Sequence, residues 1–170
     1  SSLSNPSVTP TATTTYYVEA STTGGKATGG RMTNPTGGAV LSASPRGIIF
    51  TTTKAVDIDS VAFMCSGVAS TVTIQLYNSG GTATIGSPVS INIPANAGTS
   101  ATPVLLTFAA PISIPSAGTY RLFVTSVSPT GNVLWYEFSG VTGYPYAVGT
   151  DLSITSSVTS LTGSASTTTY

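Results

Sequence analysis

The 170-residue chain contains no histidine and few charged residues, and both absences restrict the functions open to it. Histidine is the commonest general base and the commonest metal ligand in proteins, so any enzyme here would have to work with carboxylates alone. A serine activated by histidine, as in the familiar hydrolases, is excluded. Charged residues make up 6% of the chain, against roughly a quarter in an average soluble domain.

The few charges also balance, because five lysines and arginines are matched by five aspartates and glutamates. Without an excess of positive charge, the chain has no basic patch for nucleic-acid phosphates and no polybasic segment for an anionic membrane. No run approaches the ~18 consecutive apolar residues of a membrane span. We therefore expect neither nucleic acid nor a membrane span, and the polar, Thr-rich composition is typical of a secreted or surface-displayed protein.

Cysteine occurs once, as Cys65 in the apolar run VAFMC, so no disulfide forms within the chain. A lone cysteine among apolar neighbours is expected to be a small buried hydrophobic side chain. The nucleophile and nucleotide motifs G-x-S-x-G, S-x-x-K and G-x-G-x-x-G do not occur in a suitable setting. These absences predict that the chain is not an enzyme and needs no organic cofactor.

What the sequence does contain, from Arg46 onward, is a series of extended runs rich in Val, Ile, Thr, Phe and Tyr. Apolar residues alternate with period two in four runs, which predicts one buried face for each. These inward positions are Val72, Ile74 and Leu76; Val89, Ile91 and Ile93; Val104, Leu106 and Phe108; and Tyr120, Leu122 and Val124. Short turns separate the runs, which predicts an antiparallel two-sheet β-sandwich of jelly-roll or immunoglobulin-like type, with an extended N-terminal strap.

The segments that flank this body differ from it in composition. Residues 1–29 are rich in Ser, Thr, Pro and Gly around a short extended stretch, TYYVEA, and are interpreted as a linker with a strand or docked strap. Residues 30–160 are assigned to the sandwich domain. Residues 161–170 are interpreted as a C-terminal linker or as the start of a truncated final strand.

Asp57 and Asp59 form the only close pair of carboxylates, two residues apart on the predicted strand VDIDSVAFM. Neighbours on one strand do not face each other across a cleft, as the carboxyls of a glycosidase must. They are candidates for a structural calcium site, although calcium takes about six to eight oxygens, and a solvent-facing edge is the alternative. The apolar alternation changes phase between Ile58 and Val61, which predicts a β-bulge at Ser60.

Aromatic residues concentrate in the stretch NVLWYEFSGVTGYPYAV, which is the strongest candidate for a binding site. Exposed Trp and Tyr rings stack on sugars, and a nearby carboxylate or guanidinium exchanges hydrogen bonds with their hydroxyl groups. The candidate carbohydrate platform consists of Trp135, Tyr144, Tyr146, Glu137 and Arg121. In the alternative interpretation, Trp135 fills the core and the Tyr-Pro-Tyr sequence fixes a loop.

Five stretches carry a resemblance to known proteins: NPSVTPTATTTYYVEAST, RGIIFTTTKAVDIDSVAF, VTIQLYNSGGTATIGSPVSINIPA, SAGTYRLFVTS and GVTGYPYAV. They resemble modules of large secreted and surface proteins of the Bacteroidetes phylum. NPSVTPTATTTYYVEAST is similar to the closing strand of their immunoglobulin-like repeats, which would assign residues 16–20 to an upstream domain. The other four stretches, from RGIIFTTTKAVDIDSVAF to GVTGYPYAV, are similar to a sandwich module that follows such repeats in these proteins. The resemblance implies a non-catalytic, extracellular module of type IX secretion cargo. Asp59-Ser60-Val61 is similar to the short O-glycosylation signature of these bacteria, which makes Ser60 the candidate glycan site.

Two functions follow from these observations. The first is a structural or adhesive module of a multidomain surface protein, either a spacer or a fibre unit. The second is a carbohydrate-binding module of a secreted polysaccharide-degrading enzyme. The expected partners are neighbouring domains of the same polypeptide, or neighbouring subunits bound by strand addition, and for the second function a polysaccharide.

Overall fold

A computed structural model of the chain describes residues 25–30, 38–41, 46–97, 103–129, 134–137, 141 and 143–168. In these ranges the chain forms ten β-strands, and it has no helix long and apolar enough to cross a membrane. The strands are β1 (Gly38–Leu41), β2 (Arg46–Thr52), β3 (Val56–Phe63), β4 (Ser70–Asn78), β5 (Thr84–Ile93), β6 (Val104–Ile114), β7 (Gly118–Ser128), β8 (Leu134–Glu137), β9 (Tyr146–Val148) and β10 (Leu152–Val158). The predicted strap at residues 16–20 lies outside the described residues.

The strand pairs are antiparallel, and six strands form one sheet in the order β5-β4-β7-β2-β10-β9. Two further pairs, β3 with β6 and β1 with β8, lie outside that sheet. A single antiparallel bridge between Cys65 and Leu134 links these two pairs. The architecture is all-β and consistent with the β-sandwich that the sequence predicts.

Side chains from the six-stranded sheet and from β3 and β6 share one main core. Phe50 and Leu76 come from the larger sheet, and Phe108, Ile112 and Ile114 come from β6. All four sets of alternating apolar residues lie in this core or pack against it, which confirms the inward faces assigned from the sequence. Burial of each large apolar side chain contributes about 1.5–3 kcal/mol, so this core is the main source of stability.

The pairing of β3 with β6 is irregular at the position where the sequence predicts a bulge. Ile58 lies opposite Ile112, but Ser60 lies opposite Thr107, so the extra residues of the irregularity belong to β6. Pro111 lies within this extra stretch and has no N–H to donate to the ladder. The phase change next to Ser60 is therefore confirmed, and the extra residues that accompany it lie on the partner strand, β6.

A second, smaller cluster covers the opposite face of the six-stranded sheet. Ile49, Phe123 and Val158 are buried there, and Tyr77 and Leu161 pack against them. The rings of Tyr77 and Phe123 meet edge to face, with their centroids 5.8 Å apart. We call these five residues the outer cluster. Because of it, β2 and β7 bury apolar side chains on both faces, as central strands of a covered sheet do.

Two of the strands were not predicted from the sequence. β1 lies before Arg46, where the sequence analysis identifies no extended run, and β9 begins inside the Tyr-Pro-Tyr sequence that was interpreted as fixing a loop. Each strand is only three or four residues long and pairs with a partner distant in the chain or across a tight turn, β1 with β8 and β9 with β10. Pairing with these partners outweighs the weak local signal, since strand propensity depends strongly on context.

Candidate functional site

The paired rings of Tyr144 and Tyr146 are the part of the proposed carbohydrate platform that the structure brings together. Their centroids lie 4.7 Å apart with the rings tilted by 54°. Tyr146 pairs with Ile154 of β10, whose side chain is buried in the main core. Both tyrosines are half-buried and pack against that core, so part of each ring holds the end of the sandwich together. The rest of each side chain is exposed to solvent.

Trp135 and Glu137 of the proposed platform lie in β8. Their backbones pair with Val40 and Gly38 of β1, while their side chains lie outside what the structure describes. The neighbouring Leu134 is 3% exposed and belongs to the main core. The role of Trp135 and Glu137 in sugar binding therefore stays a prediction from the sequence.

Arg121 of the proposed platform lies on the other face of the six-stranded sheet from Tyr146. It pairs with Ile49, which belongs to the outer cluster, and residues directly opposite each other on paired strands point to the same face of the sheet. Its Nε donates to the carbonyl oxygen of Ser79 at 2.6 Å, and its Nη1 donates to those of Leu161 and Gly163 at 2.9 Å each. The guanidinium of Arg121 thus donates hydrogen bonds to three backbone carbonyls, and it lies on the opposite face of the sheet from Tyr146.

The two candidate metal ligands make separate contacts. Asp57 accepts a hydrogen bond of 2.7 Å from the Ser113 hydroxyl across β3 and β6. Asp59 forms an ion pair with Lys26, and the hydrogen bond from Lys26 holds the pKa of that carboxyl below its usual value. Across the described ranges, no three side chains of the metal-binding types gather around one point. A structural calcium at these aspartates stays a prediction.

The candidate glycan site, Ser60, is half-buried on β3, next to the irregular pairing with β6. Its hydroxyl donates to Oδ1 of Asp59 at 3.1 Å. Two of the three residues of the proposed Asp59-Ser60-Val61 signature are therefore hydrogen-bonded to each other through their side chains. Attachment of a glycan at this hydroxyl is likewise still a prediction.

A cleft of about 220 Å³ opens between β5 and β6, where edges of the two layers meet. It is lined by Ile85, Gly86, Ser87, Val89, Pro111, Ile112 and Ser113. Sites that enclose small organic ligands measure roughly 300–1,000 Å³, so this cleft is smaller than such a site. Tyr144, Tyr146 and Arg121 are not among the residues that line this cleft.

The edge of β6 differs from the two edges of the six-stranded sheet. β5, at one end of the six-stranded sheet, is interrupted by Pro88 and by Gly86, whose φ is +66°. At the other end, Gly29 forms a bridge with Val148 and covers part of β9. By contrast, β6 pairs only with β3 among the described residues, has no proline before Pro111, and presents Leu105 at 53% exposure. A long edge of this kind is suited to receiving a further strand.

The sequence analysis missed two groups of contacts at the ends of the sandwich. Lys26, in a segment assigned to the linker, is held by Asp59, and its neighbour Gly29 pairs with β9. The C-terminal segment, residues 159–168, folds back so that Ser166 exchanges two backbone hydrogen bonds of 2.8 Å with Ser157. The sequence does hold one indication of the C-terminal contacts, the unbroken apolar run Leu122–Phe123–Val124. Such a run indicates that both faces of β7 are covered by other parts of the chain.

Comparisons of the chain with models of known protein families, with curated proteins and with solved structures find no match. The resemblance to modules of Bacteroidetes surface proteins is therefore a prediction from the sequence alone.

Proposed function

We propose that the chain is a non-catalytic, extracellular β-sandwich module of a multidomain surface protein, where it acts in adhesion or as a structural spacer. The observation that carries this proposal is the edge of β6, which pairs only with β3 among the described residues and carries the exposed Leu105. An edge strand offers a row of backbone donors and acceptors to an extended segment of a neighbouring module. Strand addition of this kind links modules through the main chain and needs no reactive side chains.

The use of the charged side chains supports the same proposal. Lys26 pairs with Asp59, and Lys54 pairs with Asp151 at 3.0 Å, while Arg121 is bound by backbone carbonyls. These cations bind other parts of the same chain and do not converge on a common site. Such a distribution fits a module whose task is to fold robustly and to present its neighbours.

Replacing Leu105 with lysine is expected to weaken association between copies of the chain by about tenfold or more, because a charged side chain on an edge strand opposes the addition of another strand. Analytical ultracentrifugation of the full chain over a concentration series measures the dissociation constant. We expect the unchanged chain to associate as its concentration rises.

The matched control is Val68→Lys, which introduces the same charge at the other large apolar side chain exposed in the described ranges, here by 45%. Val68 precedes β4 and lies on no sheet edge, so this variant is expected to associate as the unchanged chain does. Equal weakening by both substitutions, or a chain that stays monomeric throughout the series, would contradict strand addition at β6 between copies.

A carbohydrate-binding module is the second candidate function, and the close contact between Tyr144 and Tyr146 favours it. Two neighbouring rings provide a stacking surface for the C–H faces of consecutive sugars. The neutral charge balance suits an uncharged polysaccharide. Under this function the module keeps a separate catalytic domain close to its substrate.

Sedimentation with insoluble polysaccharides tests the second function. Tyr146→Ala and Trp135→Ala are expected to lower the bound fraction by about tenfold, whereas Tyr146→Phe keeps the ring and is expected to bind normally. Circular dichroism of each variant checks that the sandwich remains folded. Absence of retention on every polysaccharide would exclude this function, and equal loss in Tyr146→Phe and Tyr146→Ala would exclude ring stacking as its basis.

A further inference from the structure

The C-terminal segment, residues 159–168, is attached to the sandwich by contacts unlike those inside the sheets. After β10 the chain turns, with the Gly163 amide donating to the carbonyl oxygen of Ser160 at 3.0 Å. It then returns so that Ser157 and Ser166 exchange both of their backbone hydrogen bonds. This one bridge is the only strand-like pairing of the segment that the structure describes.

The apolar contact of the segment is also small. Leu161 is half-buried and packs against the outer cluster, over Ile49, Phe123 and Val158. These three side chains are at most 8% exposed, and Phe123 and Val158 are almost completely buried. The segment thus covers part of a small apolar surface on a face that lies outside the main core.

Arg121 joins the segment to the rest of the sheet. Its Nη1 donates to the carbonyl oxygens of Leu161 and Gly163, and its Nε donates to that of Ser79 in the turn between β4 and β5. Gly81 of the same turn lies so close to the Leu161 carbonyl that the Cβ atom of any other residue at this position would overlap with that oxygen. One guanidinium therefore ties two turns together, and charged donors of this kind make the stronger hydrogen bonds.

We propose that residues 159–168 open and close on the outer face as an independent unit while the sandwich stays folded, and that Arg121 is the latch of this unit. Opening exposes the outer cluster and creates an apolar surface on that face. Near its end the segment accepts one more hydrogen bond, of 3.2 Å, from the Val141 amide to the Thr168 carbonyl oxygen. The closed state thus depends on few contacts, whereas the strands of the sheet depend on many hydrogen bonds and on the main core. Elements with few buried contacts open at lower free energy than core strands.

Native-state hydrogen exchange on the full chain tests this proposal. The amides of Gly163 and Ser166 are expected to exchange at least about tenfold faster than those of the central strands β4 and β7. Added urea at low concentration is expected to change the exchange of Gly163 and Ser166 very little, because opening of a short segment exposes little surface. This measurement uses the unchanged chain and does not depend on the folding of any variant.

Arg121→Gln is expected to accelerate exchange at Gly163 and Ser166 by a further factor of about 10–100, while amides in β4 keep their rates. Arg121→Lys keeps the charge but loses the planar fork, so its effect is expected to be intermediate. Lys54→Gln is the matched control, since it removes one positive charge from an exposed ion pair at another turn. If Gly163 and Ser166 exchange at the rate of the central strands, or if Arg121→Gln accelerates all amides equally, the segment is a fixed part of the fold and the proposal is wrong.

Discussion

Replacement of Phe50 by alanine is expected to lower the free energy of unfolding by about 3–5 kcal/mol. The Phe50 side chain is 1% exposed and stacks on Tyr120, with the ring centroids 5.8 Å apart and the planes inclined by 28°. Its strand, β2, is paired on both sides, with β7 and with β10, so the backbone cannot move in to fill the space. The loss combines the transfer of the ring out of the core with the cavity that remains. Equilibrium urea denaturation measures it.

An exposed position provides the control for this substitution. Leu105→Ala removes a large side chain that is 53% exposed, and it is expected to change the free energy of unfolding by less than about 0.5 kcal/mol. A loss below about 1 kcal/mol for Phe50→Ala would mean that the space collapses or admits water, and the assignment of Phe50 to the centre of a packed core would then be wrong.

The inward faces of the strands could be predicted because a strand with one buried face has apolar residues at every second position. Val72, Ile74 and Leu76 illustrate this, since they alternate with polar residues and all three are buried. The same rule located the phase change beside Ser60. Periodicity gives the face on which each residue lies but does not identify the partner strand. The sequence therefore could not predict that the extra residues of the irregular pairing between β3 and β6 belong to β6.

The outer cluster and the C-terminal segment were not predicted, for two physical reasons. Runs with no alternation, such as Leu122–Phe123–Val124, indicate cover on both faces of a strand but do not identify the covering segment. The attachment of residues 159–168 depends on backbone carbonyls, as in the bonds from Arg121 to Leu161 and Gly163. A carbonyl acceptor is present at every residue, so the sequence carries no signature of which ones are used.

The grouping of the candidate carbohydrate residues shows the same limitation at the level of a site. Tyr144 and Tyr146 were predicted to lie together because they are neighbours in the chain, and their rings are in contact. Arg121 was added because of its chemistry, without information on the face of the sheet that it would occupy. Its register with Ile49 places it on the outer face. Residue type alone therefore identified chemically suitable partners but not their positions.

The thiol of Cys65 is expected to react with an alkylating reagent at pH 8 at least about 100-fold more slowly in the folded chain than in the urea-unfolded chain. Cys65 has 0% exposure, and burial raises the pKa of its thiol from 9.0 to about 11. The reactive species is the thiolate, and a rise of about two pH units in the pKa lowers its fraction at pH 8 about 100-fold. Mass spectrometry of the alkylated chain over time measures both rates. Rapid alkylation of the folded chain would show that the loop around Cys65 opens readily.

The same burial makes the stability of the fold depend on pH in the alkaline range. Because the folded-state pKa lies above the unfolded one, the contribution of the neutral thiol to stability is fully present below pH 9.0 and is lost as the pH rises towards about 11. The expected loss is about 2–3 kcal/mol, at about 1.4 kcal/mol for each unit of pKa difference. Other groups also contribute to the pH dependence of stability, so the loss is measured against Cys65→Ala, in which their contribution remains. Parallel stability curves for the two proteins between pH 8 and pH 11 would show that the thiol ionises without penalty and is not buried as described.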